Sequence, residues 1–190
     1  DFGCIKDLNN PFLGASPDGI VIKEECPRFA RMLEVKNIVN REITGIPKKE
    51  YWIQMQIQMG VCQLNECDFL ETKFLEYETL EDFENDGNFN YSIDGKIKGV
   101  FMYFIKDGKP YYEYPEIMIS KEEFNKWEHK IMQKNSDLTW IKNLYWKLDI
   151  FSCVLVLRNK LWFNEAAKKL KEIWNIIQIE KKNGYNHRAP

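Results

Sequence analysis

The chain has 190 residues, of which 44% are hydrophobic and 14% aromatic, and its formal net charge is −2. A chain of this length buries roughly 70% of the surface that it exposes when unfolded, so we expect one folded domain, residues 1–190. This composition excludes a disordered polypeptide. The slightly negative charge argues against a uniformly basic surface but is compatible with a local basic stripe.

The cysteine and histidine content limits the metal chemistry. The five cysteines contain no CxxC pair, and His129 and His187 are far apart, so the sequence predicts no zinc site. An odd number of scattered cysteines predicts free, mostly buried thiols in a reducing compartment. No apolar run approaches the roughly 20 residues that span a bilayer, and no signal-peptide pattern is present. We therefore expect an intracellular protein without a membrane segment.

The first third of the chain has the pattern of short strands separated by turns. The chain begins with Asp1 rather than Met and enters this pattern almost at once, so we expect an upstream segment to be missing. The strands form a predicted β-meander and lie at residues 2–5, 13–22 and 32–37. A helix is predicted from Pro47 to Leu64, because proline favours a first helical turn.

The middle of the chain is predicted to continue with strands. Aromatic and β-branched residues favour a strand at residues 68–77. The polar residues 81–95 are predicted to form an exposed loop with local mobility. Asp107 and Gly108 then favour a tight hairpin turn between strands at 99–105 and 109–119.

The last third is predicted to contain two helices around an apolar segment. The pattern from Ser120 to Glu123 is a capping box, which predicts a helix down to about Lys134. Residues 140–157 are apolar and aromatic. An amphipathic helix is predicted at about residues 160–182.

Two short motifs carry the residues suited to chemistry. Asp18 lies on a Pro-Asp-Gly turn, and Glu34 and Lys36 follow on a strand on either side of Val35. Residues two apart on a strand share a face, so Glu34 and Lys36 are predicted to project together while Val35 points into apolar packing. If the strand of Asp18 pairs alongside, the three charged groups converge. Carboxylates are hard ligands for Mg²⁺ or Mn²⁺, and an ammonium group can orient or activate water beside them.

The predicted helix 47–64 adds polar side chains. Tyr51, Gln54 and Gln58 are spaced at i, i+3 and i+7 and therefore share one face. An amide on that face can fix a phosphate or a water molecule. Met55 and Met59 recur at a spacing typical of core packing on another face.

Together these motifs resemble a known nuclease family. The segments LGASPDGIV (13–21), LEVK (33–36) and YWIQMQ (51–56) are similar, in this order, to the three-part signature of the YqaJ-like, lambda-exonuclease type of PD-(D/E)XK nuclease. The later segment 145–148 and the final helix resemble versions of this family from large DNA viruses. The resemblance implies an α/β restriction-endonuclease-like fold, with a mixed central sheet flanked by helices.

The resemblance also implies roles for individual residues. Asp18, Glu34 and the backbone carbonyl of Val35 would bind Mg²⁺, for which Mn²⁺ can substitute. Lys36 would act on the attacking water, and Gln54 would support the site. A related branch of the family carries an iron–sulfur cluster, but this chain lacks the clustered cysteines for one, so we expect none.

The activity that the resemblance implies is 5′ to 3′ digestion of one strand of duplex DNA with free ends, for recombination or repair. A single-strand annealing protein and further copies of this chain are partners that the family allows. For a viral protein, the expected location is the host cytoplasm or the site of viral DNA replication. Relatives carry a helical segment before the first strand that helps to hold the 5′ phosphate, and the chain starts too late to include it.

Several residues are candidates for DNA contacts: Ser16, Lys48, Lys49, Tyr51 and Gln58, although Tyr51 can instead simply pack. Lysines would contact phosphates, although an ordinary solvated surface explains them equally well. Taken singly, Asp18 is an ordinary turn residue, and only the ordered set of motifs favours a site. Three functions remain open: an exonuclease, a structure-specific or nicking endonuclease, and a non-catalytic DNA-binding module of the same fold.

Overall fold

The computed structural model describes residues 2–188 of the chain. This part contains both strands and helices. The strands are β1 (Ile5–Lys6), β2 (Gly14–Ala15), β3 (Gly19–Ile20), β4 (Met32–Asn37), β5 (Glu66–Glu76), β6 (Lys98–Lys106), β7 (Lys109–Glu113) and β8 (Thr139–Leu157). The helices are α1 (Lys49–Cys62), α2 (Leu80–Asn85), α3 (Lys121–Lys134) and α4 (Lys160–Asn183), followed by a 3-10 turn at Asn186–Arg188. The protein is therefore of the mixed α/β class.

The strands form two sheets. A two-stranded sheet pairs β1 with β2, and a six-stranded sheet has the order β3-β4-β5-β8-β6-β7. The antiparallel neighbours of the predicted β-meander are present, but the predicted strand 13–22 is divided into β2, which pairs with β1 in the small sheet, and β3, which pairs with β4 in the main sheet. Only β3 and β4 of the first third form an antiparallel pair of the main sheet.

The chain divides into two compact units. Of the described residues, the first unit comprises 2–36, 43–71 and 152–188, and the second comprises 37–42 and 72–151. Strands β4, β5 and β8 contribute residues to both units. The prediction of a single domain over residues 1–190 stays a prediction.

The first unit is built around helix α1. The predicted helix 47–64 is confirmed to within two residues at each end. Its buried face packs against β4, β5 and β8 through a cluster of apolar side chains: Met32, Met55, Met59, Cys67, Phe69 and Val156. Gly60 lies where a side chain would collide with the ring of Phe163 on α4, since a Cβ atom there would stand 2.2 Å from it. This close approach explains a glycine inside a helix.

The second unit contains the predicted hairpin and capped helix. Asp107 and Gly108 both have positive φ angles, 49° and 72°, and join β6 to β7. Strand β7 ends at Glu113 rather than at 119, because Pro115 removes a hydrogen-bond donor and Met118 adopts a positive φ of 65°. The capping box of α3 is present in both directions between Ser120 and Glu123.

The predicted loop 81–95 contains a helix. Thr79 accepts a hydrogen bond from the Asp82 backbone at 3.0 Å and caps α2. Phe83 is 1% exposed and packs against the rings of Tyr77 and Tyr145, with centroids 5.4 and 5.0 Å away. At Leu80–Asn85 a helix anchored by Phe83 therefore replaces the expected loop, while the other residues of the helix are exposed, as expected.

The environment of the cysteines is mixed. All five are free thiols, as expected, but only Cys67 is buried, whereas Cys4 and Cys153 are exposed. The expectation of mostly buried thiols is therefore wrong. Within residues 2–188, no helix is both long and apolar enough to cross a membrane.

Candidate active site

The turn that carries Asp18 is fixed against strand β4. Pro17 is buried, and Gly19 pairs with Leu33 at the start of β3, so the turn is held on both sides of its carboxylate. The exposed Asp18 carboxylate reaches across this pair, and its Oδ2 accepts a hydrogen bond of 2.7 Å from the Val35 backbone N–H. The predicted pairing of the Asp18 strand beside Glu34 is therefore present.

Glu34 is a buried carboxylate with several donors. Its side chain is 1% exposed and lies on the same face of β4 as the buried Met32. Oε1 accepts from Gln54 Nε2 at 2.7 Å and forms an ion pair with Lys36, and Oε2 accepts from Gln58 Nε2 at 2.9 Å. A buried charge is costly unless it is paired and hydrogen-bonded, and these contacts meet that requirement.

The Lys36 ammonium group is paired with a carboxylate and lies beside an aromatic ring. It pairs with Glu34, as the two-residue strand spacing predicted, and it lies 5.4 Å from the centroid of the Tyr51 ring. Tyr51 in turn packs against Phe69, with centroids 5.8 Å apart. The Lys36 side chain is 24% exposed, so the ammonium remains accessible to water. Val35 is half-buried and lies outside the apolar cluster around Met32, so it packs less completely than predicted.

Helix α1 presents the predicted polar face to Glu34. Gln54 and Gln58 lie one turn apart, and each binds a different oxygen of the same carboxylate. Gln58 also donates to the backbone carbonyl of Ser16 at 3.3 Å. The shared face of Tyr51, Gln54 and Gln58 is therefore directed at the acidic site.

The candidate DNA contacts differ in exposure. Lys48 and Lys49 are exposed at the beginning of α1, where no side chain caps the helix. Ser16 is exposed, and its hydroxyl donates to the Gly3 carbonyl at 2.9 Å. Gln58 is only 4% exposed, in contrast to the surface contact that was predicted, because its amide is turned inward to Glu34.

Cys67 is a neighbour of the site that the sequence did not indicate. It is fully buried in the cluster beside Met32 and Phe69. Burial raises the pKa of its thiol to about 12, and the negative charge of Glu34 contributes in the same direction. Cys67 is a single cysteine in strand β5, and no sequence motif predicts that it lies beside Glu34.

The acidic side chains at the candidate site are the carboxylates of Asp18 and Glu34. No group of three or more His, Cys, Asp or Glu side chains in residues 2–188 is arranged to hold a metal ion. Asp18 and Glu34, with the Val35 carbonyl, offer oxygen ligands only. Mg²⁺ is commonly bound by one or two carboxylates and keeps several waters, so two carboxylates suffice for it. Structural zinc sites instead use four ligands, mostly cysteine and histidine.

The motif-bearing part of the chain matches a known family. Residues 2–65 match the YqaJ-like viral recombinase domain. The resemblance stated from the sequence motifs is confirmed over this stretch, which contains Asp18, Glu34, Lys36 and Gln54. The YqaJ-like stretch ends just after helix α1, so it includes all the contacts to Glu34 described above.

A relative extends the similarity to nearly the whole chain. The protein is 28% identical over 212 residues to the "Uncharacterized protein R354" of Acanthamoeba polyphaga mimivirus. This similarity covers 93% of the present chain but only 39% of the relative, so the chain spans about two fifths of that protein. The relative comes from a large DNA virus, in agreement with the viral resemblance of the sequence.

Proposed function

We propose that this protein is a Mg²⁺-dependent deoxyribonuclease with a PD-(D/E)XK core. One observation carries the proposal: residues from three separate motifs lie together. Lys36 and Gln54 both bind the Glu34 carboxylate, and the pairing of β3 with β4 brings the Asp18 carboxylate to the Val35 N–H. The match of this stretch to a viral recombinase domain supports a role in DNA recombination.

Asp18 and Glu34 are proposed as the cation ligands, with the Val35 carbonyl as a third oxygen donor. A bound Mg²⁺ would neutralise charge that develops on the scissile phosphate. The Val35 N–H fixes the Asp18 carboxylate, and Gln54 fixes the Glu34 carboxylate, so both acids keep their orientation before substrate arrives. Such preorganisation lowers the cost of reaching the reactive geometry.

Lys36 is proposed to position the attacking water. Its ammonium group is compact and charged, and the pairing with Glu34 keeps it at the acidic site. The Tyr51 ring lies beside it and restricts the side chain. Lys36 therefore can donate a hydrogen bond to water next to the phosphate while Glu34 balances its charge.

The start of α1 is proposed to contact the DNA backbone. Lys48 and Lys49 are exposed there, and the backbone N–H groups of a first helical turn favour phosphate. Ser16 and Tyr51 flank the acidic site and are proposed as further backbone contacts. Phosphate contacts of this kind set the position of the duplex but not its sequence.

The mode of cleavage is proposed from the family resemblance. We propose an exonuclease that digests one strand of duplex DNA from a free 5′ end and leaves a 3′ single-stranded tail for recombination or repair. A single-strand annealing protein would use such a tail. Association of several copies around DNA is part of the same proposal.

The test is digestion of end-labelled, 5′-phosphorylated linear duplex and of a closed circle, with and without Mg²⁺. The proposal expects release of nucleotides from the linear DNA only, and loss of this activity in Lys36→Ala. Conversion of the closed circle would instead identify an endonuclease. Binding of DNA without any cleavage would identify a non-catalytic module. If Lys36→Ala digested DNA as fast as wild type, the proposed active site would be wrong.

A further inference from the structure

Gln58 connects the two acidic elements of the site. A single amide nitrogen donates to Glu34 Oε2 at 2.9 Å and to the Ser16 carbonyl at 3.3 Å. Ser16 precedes Asp18 by two residues on the turn, and Glu34 lies on β4. Through the Gln58 side chain, helix α1 is therefore hydrogen-bonded both to the turn that carries Asp18 and to the strand that carries Glu34.

The orientation of the Gln58 amide is determined by its neighbours. Both contacts of Nε2 are oxygen acceptors, so the reversed amide would place a third acceptor against a carboxylate and a carbonyl. The Nε2 atom must therefore face them. Oε1 then remains on the other side of the amide, where it is buried and has no hydrogen-bond partner among the described residues.

An amide that serves stability alone is expected to use both of its polar atoms. Gln56, two residues earlier on α1, does so: its Nε2 donates to the Leu157 carbonyl at 2.9 Å, and its Oε1 accepts from the Asn159 N–H at 2.6 Å. Gln58 is 4% exposed, yet its Oε1 is left unsatisfied. Unsatisfied buried groups are rare, and each requires a specific explanation.

We infer that Gln58 is a positioning residue that sets the separation of Asp18 and Glu34 for a divalent cation, rather than a DNA contact. The inference rests on the proposed nuclease function. Gln58 touches neither substrate nor cation in this role, because its nitrogen acts through Glu34 and through the backbone of the Asp18 turn.

Gln54 differs from Gln58 in this respect. Its Nε2 donates to Glu34 Oε1 at 2.7 Å, and within residues 2–188 no hydrogen bond joins its side chain to the turn of Asp18. Loss of Gln54 would leave the Glu34 carboxylate less firmly held. Loss of Gln58 would also free the turn of Asp18, so the distance between the two carboxylates would no longer be fixed. Residues that hold metal ligands in place typically contribute about 10- to 100-fold in metal affinity.

The experiment is titration of Mn²⁺ into substrate-free protein by calorimetry, for wild type, Gln58→Met and Gln56→Met. The two variants make the same chemical change at buried positions of one helix, so their thermal midpoints without metal give the purely structural cost. We expect Gln58→Met to bind Mn²⁺ at least about 10-fold more weakly than wild type. Gln56→Met should retain wild-type affinity even though it is destabilised.

The outcomes separate the inference from the proposed function. Wild-type Mn²⁺ affinity in a folded Gln58→Met variant would overturn the positioning role and leave the nuclease proposal intact. Failure of wild type itself to bind Mn²⁺ would overturn both. If Gln58→Met does not fold, Gln58→Asn keeps the amide but is one methylene too short to reach Glu34 and Ser16 together. Unchanged affinity in that variant would also overturn the inference.

Discussion

The Asp18 carboxylate accepts a hydrogen bond of 2.7 Å from the backbone N–H of Val35, the residue between Glu34 and Lys36. This contact joins the turn motif to the strand motif without using the side chains of the strand. Asp18 is exposed, so the bond does not serve to compensate a buried charge. It orients a solvent-facing carboxylate beside a buried one.

Asp18→Asn should separate activity from stability. The amide oxygen can still accept from Val35 N–H, so the free energy of unfolding should change by less than about 0.5 kcal/mol. Loss of the negative charge removes a proposed cation ligand, and we expect the rate of duplex digestion to fall at least roughly 100-fold. Digestion assays and urea unfolding check the two parts.

The matched control for this substitution is Asp137→Asn, an exposed aspartate in the second unit. It makes the same charge change and should leave digestion unaffected. An Asp18→Asn variant that digests DNA at the wild-type rate would exclude Asp18 from the site.

Lys36→Met should reduce both activity and stability. Removal of the ammonium leaves the buried Glu34 without its charged partner, with only the two glutamines to compensate it. Breaking a buried pair in this way costs roughly 3 kcal/mol. Urea unfolding at neutral pH measures this loss, and digestion of linear duplex measures the loss of activity.

Lys142→Met provides the comparison for Lys36, because Lys142 pairs with Glu76 and both side chains are 55% exposed. Exposed pairs contribute about 0–1 kcal/mol, so this variant should remain close to wild type in unfolding free energy. Lys36→Arg should restore most of the stability but not the activity, since the planar guanidinium cannot place its donors where the compact ammonium group holds the water. Equal destabilisation by Lys36→Met and Lys142→Met would mean that the Glu34 pair is not a buried one.

The sequence was sufficient to predict which side chains of the candidate site lie together, because their arrangement is local. Glu34 and Lys36 share a strand face by a two-residue period, and Gln54 and Gln58 share a helix face by a four-residue period. Strands β3 and β4 follow each other along the chain, joined by residues 21–31, and consecutive strands commonly pair as these two do. These relationships depend little on the rest of the fold.

The errors arose where distant packing decides the structure. Helix α2 lies in a segment rich in Asp, Asn and Gly, which disfavour helix, but burial of Phe83 against Tyr77 and Tyr145 stabilises it. The division of the predicted strand 13–22 into β2 and β3, in different sheets, is marked by no periodicity in the sequence. The burial of Gln58, a candidate DNA contact, was also not predicted, because its spacing gives the face of the helix but not the depth of burial.

Lys48 and Lys49 should contribute to DNA affinity through phosphates. Changing both to glutamine should weaken binding of duplex DNA and reduce the slope of log affinity against log salt by about 0.9 for each phosphate that is no longer neutralised. Measurements at several salt concentrations, on Mg²⁺-free protein, give this slope. Lys168 and Lys169 on α4 serve as the control pair, because they are equally exposed and are not proposed to contact DNA. If the Lys48/Lys49 variant had the same salt slope as wild type, these two lysines would not contact DNA phosphates.

Cys67 should make the stability of the protein depend on pH in the alkaline range. Burial raises the pKa of its thiol from 9.0 to about 12, so the folded protein retains a proton that the unfolded chain releases above pH 9. This contribution is therefore fully present below pH 9 and is lost as the pH rises from 9 towards 12. The slope approaches about 1.4 kcal/mol per pH unit within that window.

The measurement compares wild type with Cys67→Ala by urea unfolding at intervals between pH 8 and pH 11, because tyrosines and lysines titrate in both proteins and cancel in the difference. Below pH 9, Cys67→Ala should be less stable by a constant amount, the cost of a small cavity beside Met32 and Phe69. Above it, the difference should shrink with each step in pH, since only wild type loses the thiol contribution. Cys153→Ala, at an exposed thiol, should show no such change. A constant difference over the whole range for Cys67→Ala would show that the buried thiol does not resist ionisation, and that Glu34 exerts no field on it.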